Sequence, residues 1–247
     1  MSDDERTRRG IERSLRIYYD DRRDTAAMDA LYARFVTAGA LVFDIGSHVG
    51  DRIAAFRRLG ARVIACEPNP SLVPTLRRLY GHDGMVTLEP VAVGAKAGEI
   101  EMRINTDNPT VSTVSTDFVH ASLGAPGWEG QSWDKRSRVP VTTLNALIAR
   151  HGVPAFIKID VEGFEAEALA GLTQPVAALS FEFTTIQRDL ARGCVARCQT
   201  LGYLRYNAAL GESQTLAHED WQNADAIVRW LGALPMEANS GDVYAVR

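Results

Sequence analysis

Three groups of residues in this chain combine types and spacings that do chemistry. VFDIGSHVGD places Asp44 at the end of an apolar run, followed by Gly46 and Gly50 in a G-x-x-x-G spacing that leads into a helical pattern. Glycine there lets backbone and ligand approach closely. Glu67 ends the next apolar run, twenty-three residues after Asp44, where a carboxylate can accept both hydroxyls of a ribose. Asp160 and Glu162 close a later run, IKIDVEG, and Glu182 interrupts the apolar LSFEF. Carboxylates so placed suit proton transfer or the holding of a cation.

The first turn discriminates between ligands. A dinucleotide fingerprint, G-x-G-x-x-G counted from Gly46, would put glycines where His48 and Asp51 stand. A side chain at the first position blocks the approach of a pyrophosphate, and a carboxylate at the second repels it, so NAD and FAD are disfavoured. The turn suits a zwitterionic ligand without phosphate whose amino group an acid such as Asp44 holds directly or through water, and S-adenosylmethionine fits that description. Ser47 and His48, within the turn, are expected to line the same pocket, as is Ala92 at a further strand end.

Methyl transfer from a sulfonium to a hydroxyl needs in-line geometry and a proton acceptor, which makes Asp160, Glu162 and Glu182 the candidate catalytic residues. The alternatives are that Asp160 holds cofactor alone and that Glu162 caps the next helix. Lys158 is a second charge in this apolar region; Lys158 and Glu182 either neutralise each other across the sheet as a structural pair or serve catalysis. A metal on Asp160 and Glu182 is conceivable from the preference of hard cations for oxygen, but none is assigned. His48 either faces substrate or caps the turn. Trp128 and Trp133 either stack on a flat substrate or pin a loop to the core.

Elements that alternate between strand and helix must position these residues. A helical preface runs from about Ile11 to Ala38. It is followed by strand ALVFDIG, helix Asp51 to Leu59, strand ARVIACEP, helix Pro70 to Tyr80, and strand-like MVTLEPVAVG and EIEMRIN. Thr106 to Arg138 has no clear periodicity and reads as a long functional loop. VPVTTL, helix Asn145 to His151, strand AFIKIDVEG, a helix to Leu169 and strand VAALSFEF restore the rhythm. The remaining elements are a helix around Gln187 to Leu201, strand-like YLRYNAAL, a helix after His218 and a closing DVYAVR. Such βα repeats imply a parallel sheet covered on both faces, with ligands bound outside the carboxyl ends of its strands. That edge is expected to carry Asp44, Gly46, Glu67, Ala92, Asp160 and Glu182.

Composition narrows the setting. The 247 residues carry 27 Lys and Arg against 31 Asp and Glu, interspersed, so nucleic acid is not the expected partner. Cys66, Cys194 and Cys198 make no disulfide framework and read as packing residues in a reducing cytoplasm. The charged amino terminus lacks a secretory pattern, and no apolar stretch is long enough to cross a membrane. A soluble protein is expected; a homo-oligomer is left open.

LVFDIGSHVGD, VIACEPNP, VAVG, NPTVSTVS, VTTLNALI, FIKIDVEGFE, LSFEF and GDVYA, in that order, resemble the FkbM family of S-adenosylmethionine-dependent methyltransferases. The resemblance implies a class I methyltransferase (Rossmann-like) α/β fold: a seven-stranded, mostly parallel sheet with helices on both faces, here behind an N-terminal helical preface. Residues 1–38 would be the helical extension and 39–247 the methyltransferase domain. The implied activity is usually O-methylation of a hydroxyl on a small molecule, sugar or glycan. Asp44, Gly46, Gly50, Glu67 and Pro68 match the family's cofactor motif, and Asp160, Glu162 and Gly163 match its later acidic motif. Ser47 and Asn145 depart mildly from the family pattern, and Asn145 is expected to cap its helix as Asp would. A nicotinamide-dependent oxidoreductase and a non-catalytic cofactor-binding module are the competing readings.

Overall fold

The computed structural model describes residues 2–19 and 25–247. Its strands are β1 (Leu41–Ile45), β2 (Arg62–Cys66), β3 (Val86–Glu89), β4 (Ala92–Val93), β5 (Gly98–Ile104), β6 (Lys135–Thr142), β7 (Phe156–Ile159), β8 (Ala178–Thr184), β9 (Arg205–Leu210) and β10 (Ser240–Val246). Its helices are α1 (Asp3–Tyr18), α2 (Thr25–Tyr32), α3 (Asp51–Arg58), α4 (Val73–Tyr80), α5 (Thr116–Ser122), α6 (Leu144–His151), α7 (Glu165–Ala170), α8 (Arg188–Thr200) and α9 (Ala224–Ala233). Seven strands form the main sheet in the order β3-β2-β1-β7-β8-β10-β9, with β10 antiparallel to both neighbours. This is the expected seven-stranded, mostly parallel sheet of the class I methyltransferase fold.

Apolar side chains alternate between the two faces because successive residues of a strand point opposite ways. Phe43, Ile45, Ile64, Ile157, Ile159, Leu179 and Phe181 pack under α6, α7, α8 and α9. Val42, Val63 and Phe156 pack under α2, α3 and α4. On this second face Phe35 stacks between Phe156 and Tyr244, at centroid distances of 5.0 and 5.5 Å. Each such aromatic contact adds about 0.5–1.5 kcal/mol beyond the area that it buries.

Several local expectations change. The helical preface is two helices, α1 and α2; residues 20–24 of the expected span lie outside the described residues. MVTLEPVAVG divides at Pro90, which has no N–H to give a ladder. Its first half joins the main sheet as β3, and its second begins a separate sheet of order β4-β6-β5. Ala92 therefore opens a strand of the small sheet and does not end one of the large sheet. The long loop is partly ordered into a turn of 3₁₀ helix at Pro109–Val111 and α5, and β6 starts at Lys135. Trp128 and Trp133 meet the Phe118 ring edge-on, at 5.1 and 6.3 Å, so they pin this segment to its own small core.

Asn145 does not cap α6. Thr143 does so, its hydroxyl accepting from the Ala146 amide, while Asn145 ties the helix to Thr173 through two hydrogen bonds. Pro70 lies ahead of α4, and Pro74 is the proline in its first turn, where a missing N–H is harmless.

Candidate functional site

The turn after β1 is fixed by its glycines. Gly46 has φ +85°, and a Cβ there would lie 1.7 Å from the Asp160 carbonyl oxygen, so the chain crosses the end of β7 with no room for a side chain. Gly46 and Ser47 both donate backbone N–H groups to the Cys66 carbonyl at the end of β2. Gly50, at φ +88°, starts α3 against Tyr80. The Ser47 hydroxyl donates to the Asp44 carbonyl at 2.9 Å, closing the turn on itself.

Above this turn lies a cleft of about 830 Å³. Gly46, Ser47, His48, Glu67, Pro68, Ala92, Asp160 and Glu162 line it, while Asp44, Gly50 and Glu182 do not. Asp44 is wholly buried beneath the turn, and neither carboxylate oxygen has a hydrogen-bond partner. Burial raises its carboxyl to about 6, with the ammonium of Lys158 pulling the other way. Glu67 accepts from the His48 amide at 2.8 Å and from the Asn69 amide at 2.8 Å, and burial still raises it to about 7. Both oxygens of Glu67 are thus oriented by backbone and retain lone pairs for further donors.

An orphaned buried acid, a cradle that a Cβ would fill and a carboxylate steered by two amides fit S-adenosylmethionine. Glu67, on the cleft wall, suits its ribose hydroxyls, and Asp44 suits its ammonium only indirectly, by charge from beneath the turn. The imidazole of His48 meets the Tyr18 ring edge-on at 5.2 Å, and burial lowers it to about 4, which leaves it neutral at pH 7. Its backbone N–H and its ring serve the pocket by shape, without charge.

Register explains the rest of the site. Asp44 pairs with Lys158, Lys158 with Ser180, Ser180 with Tyr244 and Tyr244 with Asn207, a buried polar rung across five strands. Two residues further along the same face come Asp160, just past β7, then Glu182 of β8 and Asp242 of β10, the last two paired in register. Of the two readings of Lys158 and Glu182, the structural pair between them is not formed. Lys158, 1% exposed, bonds Asp160 at 2.5 Å instead, because residues i and i+2 share a face and lie closer than the neighbouring strand's acid.

The acids respond in opposite directions. Burial raises Asp160, but the Lys158 ammonium outweighs it and holds the carboxyl below its ordinary value. Glu162, buried, and Glu182, half-buried with its Oε2 sealed, have no such partner; desolvation and repulsion by Asp160 push both well above the usual carboxylate range. One oxygen atom from each of Asp160, Glu162 and Glu182 lies within 4.8 Å of the others. Glu162 has φ +54°, a left-handed conformation that turns its side chain back toward the cleft. Glu162 does not cap α7. Glu165 ties that helix start together, accepting from the Val161 and Gly163 amides.

The sequence did not single out Tyr18, Arg52, Thr110 or Glu212, all of which line the cleft. Arg52 is buried and bonds Asp51 and Glu212 at 2.6 and 2.8 Å. An arginine on the buried side of a helix start is the one signal that could have flagged it.

The model of the methyltransferase FkbM domain matches residues 44–232. Arginine N(omega)-methyltransferase of Streptomyces achromogenes subsp. streptozoticus is 46% identical over 67 residues, which are 27% of this chain and 18% of that protein. The chain therefore matches about a fifth of that relative's length. Among solved structures, a TehB-like SAM-dependent methyltransferase from Corynebacterium glutamicum is similar with a TM-score of 0.48 and 11% identity, over 95% of this chain and 93% of that one. A SAM-dependent O-methyltransferase from Thermotoga maritima has a TM-score of 0.44 and 11% identity, over 91% and 64%.

Proposed function

This chain belongs to the methyltransferase FkbM domain family, whose cofactor is S-adenosylmethionine, and on that premise we propose that it methylates a hydroxyl of a small molecule, sugar or glycan. The observation that carries this reading is the placement of Asp160, Glu162 and Glu182 together beside the cofactor cleft. Bound there, S-adenosylmethionine supplies an electrophilic methyl group and a neutral thioether as leaving group. Glu67 would accept from the ribose, and Asp44, buried beneath the turn, would favour the ammonium end by its charge without touching it. Glu162 faces the cleft with a carboxyl raised well above its ordinary value, and in its ionised form it is a stronger base than an exposed glutamate. In that form it would accept the proton of the acceptor's hydroxyl as that oxygen is methylated. Lys158 keeps Asp160 ionised, so the cleft retains negative charge toward a cationic sulfonium.

A second reading is methyl transfer to a guanidinium nitrogen. The acids favour it: Asp160, Glu162, Glu182 and Asp242 face one ammonium, Lys158, and a guanidinium would find carboxylate partners on that wall. The partial match to an arginine methyltransferase supports the same acceptor.

Calorimetry with S-adenosylmethionine on the wild type and on Glu67→Ala, with NAD as control ligand, tests the cofactor site. Saturable binding weakened by about 1–3 kcal/mol in the variant is expected. Binding of NAD in its place would overturn the methyltransferase reading. Transfer of label from the methyl group to polyols or to L-arginine then separates the two acceptors, and no transfer to any acceptor leaves a cofactor-binding module.

A further inference from the structure

We propose that Asp160, Glu162 and Glu182 form a binding site for one hard divalent cation, Mg2+ or Mn2+, at the inner wall of the cleft. The site deepens the hydroxyl-transfer reading, and its catalytic role rests on that reading; its existence does not.

The three side chains come from Asp160 just past the end of β7, Glu182 within the adjacent strand β8 and the left-handed residue Glu162, and one oxygen from each lies within 4.8 Å of the others. Carboxylate oxygen is the donor that hard divalent cations select, and the set contains no sulfur or imidazole that would favour zinc or copper. Lys158 occupies Oδ2 of Asp160, which leaves that residue's other oxygen to serve.

Two observations outside the clustering point to a cation as the ligand. Glu162 is 8% exposed and lines the cleft, yet its carboxylate makes no hydrogen bond or ion pair among the described residues. Asp242 is 9% exposed, stands opposite Glu182 in the β8–β10 register, and has a buried oxygen, Oδ1, without a partner; a buried oxygen of Glu182, Oε2, is also unpartnered. Buried carboxylates left unpaired are costly. The nearby guanidinium of Arg52 already bonds Asp51 and Glu212, so among the described residues Lys158 is the one cation that bonds any of the four acids. A divalent cation would supply the absent charge.

One oxygen from each ligand leaves the second oxygen of Glu162 free. A hydroxyl oxygen of the acceptor on the same cation would have its pKa lowered, as metal-bound water does. Its proton would pass to that free oxygen as the oxygen–methyl bond forms. An acceptor carrying neighbouring hydroxyls would hold the cation through two oxygens, which selects for sugars and polyols.

The test is Mn2+ titration of the full chain without acceptor, with free Mn2+ followed by electron paramagnetic resonance. One saturable site is expected, displaced by Mg2+ and retained when S-adenosylhomocysteine saturates the cofactor cleft. Glu162→Gln and Glu182→Gln should each weaken it on the order of 10- to 100-fold. Absence of a saturable site in the wild type overturns the proposal, whatever the variants do. So does binding that both substitutions leave unchanged, or that S-adenosylhomocysteine abolishes. Saturable binding of L-arginine with none of Mn2+ overturns it in favour of the guanidinium reading. S-adenosylmethionine calorimetry on the same sample reports separately on the methyltransferase assignment.

Discussion

The Lys158 ammonium lies 2.5 Å from the Asp160 carboxylate, two residues along the chain, and the pair sits where β7 opens into the cofactor cleft. One partner is sealed in the sheet and the other reaches the cleft, so this ion pair links the stability of the core to the charge of the site. Removing the ammonium with Lys158→Met leaves Asp160 and Asp44 without their nearest cation. A loss of about 3–5 kcal/mol in urea-determined stability is expected, as for other buried pairs broken on one side. Asp160→Asn combined with Lys158→Met should recover part of it, and a double variant no more stable than the Lys158→Met single would contradict the coupling.

Gly46 and Gly39 both have positive φ, +85° and +80°, but their surroundings differ. A Cβ on Gly46 meets the Asp160 carbonyl, and one on Gly39 meets nothing within 4 Å. Gly39→Ala should cost the left-handed penalty alone, roughly 1–2 kcal/mol. Gly46→Ala should cost clearly more and also abolish S-adenosylmethionine binding, because the turn must move off β7. Equal denaturation midpoints for the two variants would refute this account.

Burial raises Asp44 to about 6 and Glu67 to about 7. A carboxyl raised on folding retains a proton that the unfolded chain has already lost, so the folded state binds more protons between about pH 4 and pH 7. Stability of the free protein contributed by these two groups therefore falls as pH rises through that window. Cofactor binding runs the opposite way, since the ammonium and ribose need ionised carboxylates. Affinity for S-adenosylmethionine is expected to rise about tenfold or more between pH 5.5 and 7.5. In Asp44→Asn and Glu67→Gln the affinity is lower and the dependence flatter; a wild-type affinity that is constant with pH would show that neither group binds in its ionised form.

Tyr18, at the end of α1, lines the cleft and meets His48 edge-on, while the next residue, Tyr19, donates its hydroxyl to the Val49 carbonyl. Helix α1 thus reaches the cofactor turn through two consecutive side chains. Tyr18→Ala is expected to weaken S-adenosylmethionine binding by about 1 kcal/mol through the lost aromatic contact, with little change in the unfolding midpoint. Calorimetry beside thermal denaturation separates the two effects.

Cys66, Cys194 and Cys198 are buried, and burial raises all three thiols, Cys198 to about 12. Thiolate is the reactive form, so the native protein should not react with Ellman's reagent until it is denatured. Rapid modification of one native thiol would show that its helix or strand opens.

The residue pattern by itself determined the alternation of strands and helices, the turn at Gly46 and the acid at the end of each key strand. Those features are local: runs of apolar residues, a glycine where φ is positive, a carboxylate beside it. The pattern also disfavoured a dinucleotide, since a side chain at position 48 and an acid at position 51 both oppose a pyrophosphate there. Tertiary structure decided what those acids face. Lys158 bonds Asp160 and not Glu182, because residues two apart in a strand share a face, whereas the partner across the sheet depends on a register that no single strand encodes. The approach of Asp242 to Glu182 joins residues sixty positions apart through an antiparallel strand that returns last into the sheet. Ala92 fell into a second sheet because Pro90 broke the ladder, and Asn145 bonded Thr173 because α6 began one residue earlier, capped by Thr143. Burial then set the charge of each acid, and burial is a property of everything that packs around a residue, which its immediate neighbours in sequence do not specify.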